Sequence, residues 1–213
     1  ESNWLNAVLI NADENAMASI TNLPFIASVQ KINQPLIFKQ NISSVIENNS
    51  CAETQDVLGY EDTYPSSYVQ FHLLNGEYLH EQGFNGENMT IGICDAGFRN
   101  ANNNPAFSAI FSEGRILGTY DYVHNDHRIF TSTDDAHGAY CFSFIGGLLN
   151  NQYIGTSTKS NFYLFQTENN DGGSERLQEE FNLATALQRC DQLGVDVVSI
   201  SLGYYTFDGA SEN

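Results

Sequence analysis

The sequence predicts an α/β fold over residues 68–213, a mostly parallel sheet with helices on both faces. Short apolar runs rich in β-branched and aromatic residues alternate there with longer stretches of helical period. In such a chain each helix is a crossover returning the backbone to the same end of the sheet. One helical stretch, 137–149, is apolar almost all round, which suits a helix at the centre of a molecule.

The elements follow in order. Residues 4–10 form a strand-like run, 13–20 a short helix with Asp13 as its N-cap, and 23–32 alternate apolar and polar as a half-buried strand does. Strand–helix–strand over 1–33 is too little to fold alone. Residues 34–67 are polar and aperiodic, end in the turn signal Tyr64-Pro65-Ser66-Ser67, and are expected to be an exposed, protease-accessible linker. A helix is predicted over 69–81, with Phe71, Leu74 and Leu79 as its apolar residues. Strands follow at 89–94 and 115–123, the central helix at 137–149, and a strand at 161–167. The amphipathic helix at 178–193 has Leu177, Phe181, Ala184, Leu187 and Cys190 on one face; Ser174 suits its N-cap and Gly194 the position past its end. A last strand covers 195–200.

Composition excludes several functions. Twenty-six acidic against 8 basic residues give a net charge of −18, and no Lys/Arg cluster is present. Such a surface repels nucleic acid and anionic membrane alike, so no nucleic-acid and no membrane partner is expected. No apolar run approaches the roughly 18 residues of a membrane span. No signal-peptide pattern opens the chain, and Glu1 is not expected to be the biological start. The four cysteines, Cys51, Cys94, Cys141 and Cys190, contain no Cys-x-x-Cys spacing. The last three lie in strand or apolar helix positions and are expected to be free, buried thiols, with Cys51 exposed in a polar loop.

Two segments about forty residues apart carry chemistry. Asp95 ends the apolar run 89–94 and is followed by Ala96-Gly97; His137 opens the central helix and is followed by Gly138. Either residue alone reads as ordinary, an Asx-turn closing a strand and a structural histidine. Together they are two members of a nucleophilic triad: a carboxylate that fixes the imidazole tautomer and a base that takes a hydroxyl proton. Gly138 leaves room for a backbone to approach the ring. A third segment, Ser201-Leu202-Gly203, follows the last strand and can offer an open edge to an extended peptide.

With these residues in this order the chain resembles the subtilisin-like serine peptidases. The aspartate motif matches Ile93-Cys94-Asp95-Ala96-Gly97-Phe98. The histidine motif matches His137-Gly138-Ala139-Tyr140-Cys141, with Ala139 where the family usually has Thr. Residues 195–203 resemble the family's substrate-binding strand, and 23–32 the closing strand of its inhibitory prodomain. The resemblance implies a subtilisin-like α/β catalytic domain in 68–213, a prodomain remnant in 1–33 and a processing linker in 34–67. It implies peptide-bond hydrolysis with Asp95 and His137 as triad members and Ser201, Leu202 and Gly203 contacting substrate.

It further implies peptide or protein substrates, secretion or cell-envelope residence, no required cofactor, and room for structural calcium. No Gly-Thr-Ser-x-Ala nucleophile segment is present. Gly155-Thr156-Ser157 falls too early and lacks the helix expected behind it. The chain is therefore expected to be the N-terminal portion of a longer peptidase, inactive without its C-terminal remainder. The competing expectation is a non-catalytic relative that keeps the groove and binds extended peptides; a receiver-type phosphoacceptor Asp95 fits less well, because no basic residue closes a later strand. Among weaker candidates, His124 and His127 with Asp121 and Asp126 read as a solvated loop. Asp134-Asp135 read as a calcium site or as tuning His137, and the acidic run 171–180 as a solvated helix start.

Overall fold

The apolar run around Ile93 becomes the middle of a four-stranded sheet in the computed structural model, which describes residues 4–5, 7–30, 64–131, 133–169 and 176–204. The strands are β1 (Thr90–Asp95), β2 (Ile116–Asp121), β5 (Asn161–Gln166) and β6 (Val197–Ile200), in the order β2-β5-β1-β6, and every pairing is parallel. A separate two-stranded ribbon joins β3 (Leu148–Leu149) to β4 (Tyr153–Ile154). The expected α/β class is what the chain forms.

The period of two along β1 and β5 divides the core. Ile91, Ile93, Phe162 and Leu164 turn to one face, where they pack with Ala139 and Phe142 of α5 (His137–Gly146) and with Phe107 and Ile110. Cys94 and Phe165 turn to the other and meet Ala186 and Cys190 of α6 (Leu177–Gln192). The two inner strands, β1 and β5, are thus covered on both faces, as a parallel sheet requires. Residue 95 has the parity of Ile91 and Ile93, which points its side chain to the α5 side.

Helix α6 ends as expected, with Gly194 at φ +69° past its last turn. Its start differs: Arg176 is the N-cap, while Ser174 lies outside the described residues. The buried Glu179 carboxylate accepts from the Arg176 and Asn169 N–H groups, so it is an inward-facing cap where a solvated acidic face was expected. Helix α5 is shorter than predicted. Gly146 packs so tightly that a Cβ there would lie 2.9 Å from Ile110 Cδ1 and Phe162 Cζ, and Gly147 is already extended. Nor is α5 apolar to its surroundings on every side, because Tyr140 and Phe144 are exposed.

Three further expectations are corrected. The helix over 69–81 is two helices, α2 (Tyr68–Leu73) and α3 (Gly76–Glu81), broken at Asn75 with φ +53°. Phe71 occupies the space a Cβ at position 76 would need, and Leu74 and Leu79 are left exposed. In the first thirty residues, α1 (Glu14–Thr21) forms with the Asp13 carboxylate accepting from Ala16 N–H at 2.8 Å. The runs flanking it form no named strand: residues 4–10 contribute only a single bridge at Ala7, and Leu23 to Gln30 none, with Phe25 77% exposed. Alternation becomes a strand only where a neighbour takes the backbone groups, and the described residues supply none for 23–30. Of the expected linker, Tyr64 and Ser67 are buried, and Ser66 N–H and Ser67 Oγ bond to Gln152 and Ile154 of the ribbon. The expectations for 31–63, Cys51 included, lie outside the described residues.

Candidate active site

Parity and topology bring the end of β1 and the start of α5 together. Asp95 is fully buried, and its Oδ1 accepts from the Ala96 N–H and from His137 Nδ1, both at 2.7 Å. The His137 side chain is 47% exposed. With Nδ1 turned to the carboxylate, Nε2 is on the outer side of the ring and has no hydrogen-bond partner among the described residues. The Asp95 hydrogen bond raises the His137 pKa; partial burial opposes this, and the Asp95, Asp135 and Glu168 charges add to it.

The close approach rests on two glycines. A Cβ at Gly138 would sit 2.6 Å from the Gly97 carbonyl oxygen and 2.8 Å from Asp95 Cβ, and one at Gly97 would sit 2.8 Å from the Asp135 backbone. The backbone that Gly138 admits is therefore the turn after β1. Asp135 Oδ1 accepts from the His137 N–H at 2.6 Å, holding the first turn of α5 from its own carboxylate. Asp134 takes the Thr131 N–H. Of the two roles expected for this pair, tuning of His137 has direct support in the charge of Asp135.

Cys141 was expected to be a buried apolar thiol, and it is not. It is half-buried one helical turn beyond His137, with Sγ 3.9 Å from Nδ1. Burial raises its pKa, and a hydrogen bond with the Ser201 hydroxyl works against that. The same contact places Ser201, at the end of β6, beside the Asp95–His137 pair. Ser201 and Gly203 are exposed and Leu202 half-buried, all just past an edge strand. Cys94 and Cys190 are buried free thiols as expected, packed together on the opposite face, where Cys190 and burial hold Cys94 protonated.

The other sequence candidates stay apart from this pair. Thr156 and Ser157 N–H groups bond to the Phe144 and Ile145 carbonyls. Ser157 is thus at the far end of α5, about 12 Å of helix from His137. Asp121 is buried, not solvated, and its carboxylate is consumed by the Val123 and His124 N–H groups and by His124 Nδ1. His127 Nδ1 is bonded to the Thr119 carbonyl, and Asp126 to Arg128. A cavity of about 640 Å³ lined by Tyr120, Tyr122, Tyr163 and Phe181 lies on the α6 side of the sheet, away from Asp95.

No protein-family model and no curated protein matches the chain. Solved structures similar to it include two of MycP1. MycP1 with its N-terminal propeptide removed is 20% identical at a TM-score of 0.44, over 62% of this chain and 37% of that one. MycP1 from Mycobacterium smegmatis is 16% identical at 0.42, over 79% and 40%. The chain therefore spans well under half the length of either, and likenesses this distant carry no functional weight.

Proposed function

We propose that Asp95 and His137 are the orienting carboxylate and the general base of a subtilisin-like serine endopeptidase whose nucleophile comes from polypeptide outside the described residues. The observation that carries this is the 2.7 Å bond from His137 Nδ1 to a fully buried Asp95, on an imidazole whose other side is open.

The mechanism follows from the atoms. Asp95 holds the proton on Nδ1, which leaves the Nε2 lone pair to take the proton of a serine hydroxyl as its oxygen attacks a peptide carbonyl. The imidazolium so formed is stabilised by the buried carboxylate beside it. Nε2 then returns the proton to the departing amine, and water repeats the sequence on the acyl-enzyme. The Asp135 and Glu168 charges support the charged intermediate, since both favour protonated His137.

Ser201, Leu202 and Gly203 would hold the substrate as an added strand, because β6 is an edge of the sheet with no further strand beside it among the described residues. On this reading residues 1–33 are the end of an inhibitory prodomain, the substrates are extended peptides, and the protein is exported or held at the cell envelope. Structural calcium would be a stabiliser and not a reagent. Hydrolysis of a chromogenic peptide by the natural polypeptide containing this segment tests it. Asp95→Ala and His137→Ala should each lower kcat/KM by roughly 10⁴. Turnover unchanged in either would end the assignment.

A further inference from the structure

We propose that Asp95, His137 and Cys141 form a binding site for a thiophilic divalent cation of the zinc class. A carboxylate oxygen of Asp95, a ring nitrogen of His137 and Cys141 Sγ all lie within 4.8 Å of one another. The spacing of four residues stacks His137 and Cys141 on one face of α5, and β1 brings the carboxylate to them. Two further observations point to a ligand. Asp95 Oδ2 is buried with no hydrogen-bond partner among the described residues, an acceptor left over on the same carboxylate. The half-exposed imidazole gives an ion a way in.

The donor set chooses the ion. One nitrogen, one sulfur and one carboxylate oxygen suit zinc or cadmium, whereas calcium and magnesium take oxygen donors. Zinc lies about 2.3 Å from sulfur and about 2.0–2.2 Å from nitrogen or oxygen, in a tetrahedron with donors roughly 3.3–3.8 Å apart. His137 Nδ1 and Asp95 Oδ1 are now 2.7 Å apart and Nδ1 and Sγ 3.9 Å. The site thus forms if the imidazole swings about half an ångström from the carboxylate, a small motion for a half-exposed ring. Three protein donors leave the fourth position to water. On binding, the imidazole proton moves from Nδ1 to Nε2 and the thiol proton is released to solvent. Nε2 then carries a proton and cannot accept one, so the cation and general-base action exclude each other.

The inference rests on donor geometry and not on the peptidase reading, and its test measures binding. Cadmium ion is titrated into the full chain carrying Cys51→Ser, and the near-ultraviolet thiolate-to-cadmium band is followed. One equivalent should bind, be displaced by zinc and not by a large excess of magnesium. Cys141→Ser and His137→Gln, each checked for native circular dichroism, should remove the band or weaken binding more than about tenfold. The His124→Gln/His127→Gln pair should leave it unchanged. One-equivalent binding that survives Cys141→Ser or His137→Gln, or that is lost with His124 and His127, would overturn the site.

Discussion

Gly138 shows how one missing side chain sets the chemistry. With 2.6 Å between its Cβ position and the Gly97 carbonyl oxygen, any larger residue must push α5 off the end of β1. Alanine there gains up to about 1 kcal/mol of helix propensity, yet the overlap should dominate and cost about 1–3 kcal/mol. Urea denaturation of Gly138→Ala would show it, and an unchanged midpoint would contradict the packing described. At His137 the sign of the pH effect is fixed by the direction of the shift. Its pKa is raised in the folded chain, so the pairing with Asp95 stabilises fully below the unfolded value near 6.5 and is lost as pH rises through the folded value. Denaturation midpoints across that window should fall on the alkaline side, and this component of the fall should vanish in Asp95→Asn. Asp95 and His137 were legible from sequence because each sits at a junction, strand to turn and turn to helix, where a side chain's direction is constrained. Cys141 was not. Its helical neighbours are apolar, and only its spacing from His137 signalled that it faces the site.

Among the elements, the strands of the sheet were legible, and so was α1 with its Asp13 cap, whereas the strands expected on either side of α1 were not. The strands at 90–95, 116–121, 161–166 and 197–200 follow near-continuous apolar runs that need burial on both faces. Residues 4–10 and 23–30 have comparable local patterns, but pairing is a tertiary event that local pattern does not encode. The break at Asn75 was missed for a related reason: it is decided by where the Phe71 ring packs. Helix α5 owes its position to Phe142, fully buried, stacked on Phe107 at 4.2 Å and set edge-on to Phe162 at 4.8 Å. Truncation at Phe142→Ala removes both ring contacts from a close-packed layer and should cost about 3–5 kcal/mol. Chemical denaturation measures that loss. A cost under about 1 kcal/mol, the level of a surface substitution, would mean that α5 is not anchored there.

At the scale of the whole molecule, strand order does the work of assembly. Placing β1 between β5 and β6 buries Asp95 at the carboxyl edge of the sheet, where open α/β folds gather their reactive groups. The crossover through α5 from β2 to β5 packs against the face that carries Asp95 and brings His137 to that edge. The edge at β6 has no further strand beside it among the described residues, with Val197 and Ile200 exposed, which is where an extended peptide would add. Two residues 42 positions apart thus become partners through topology alone, and that partnership is the central claim. It is tested most directly by following the His137 ring nitrogens by NMR through a pH titration of the chelator-treated chain. The Nδ1 proton should persist in the neutral ring and the midpoint should lie above the ordinary histidine value, falling back in Asp95→Asn. A midpoint at or below the ordinary value, indifferent to Asp95→Asn, would contradict it.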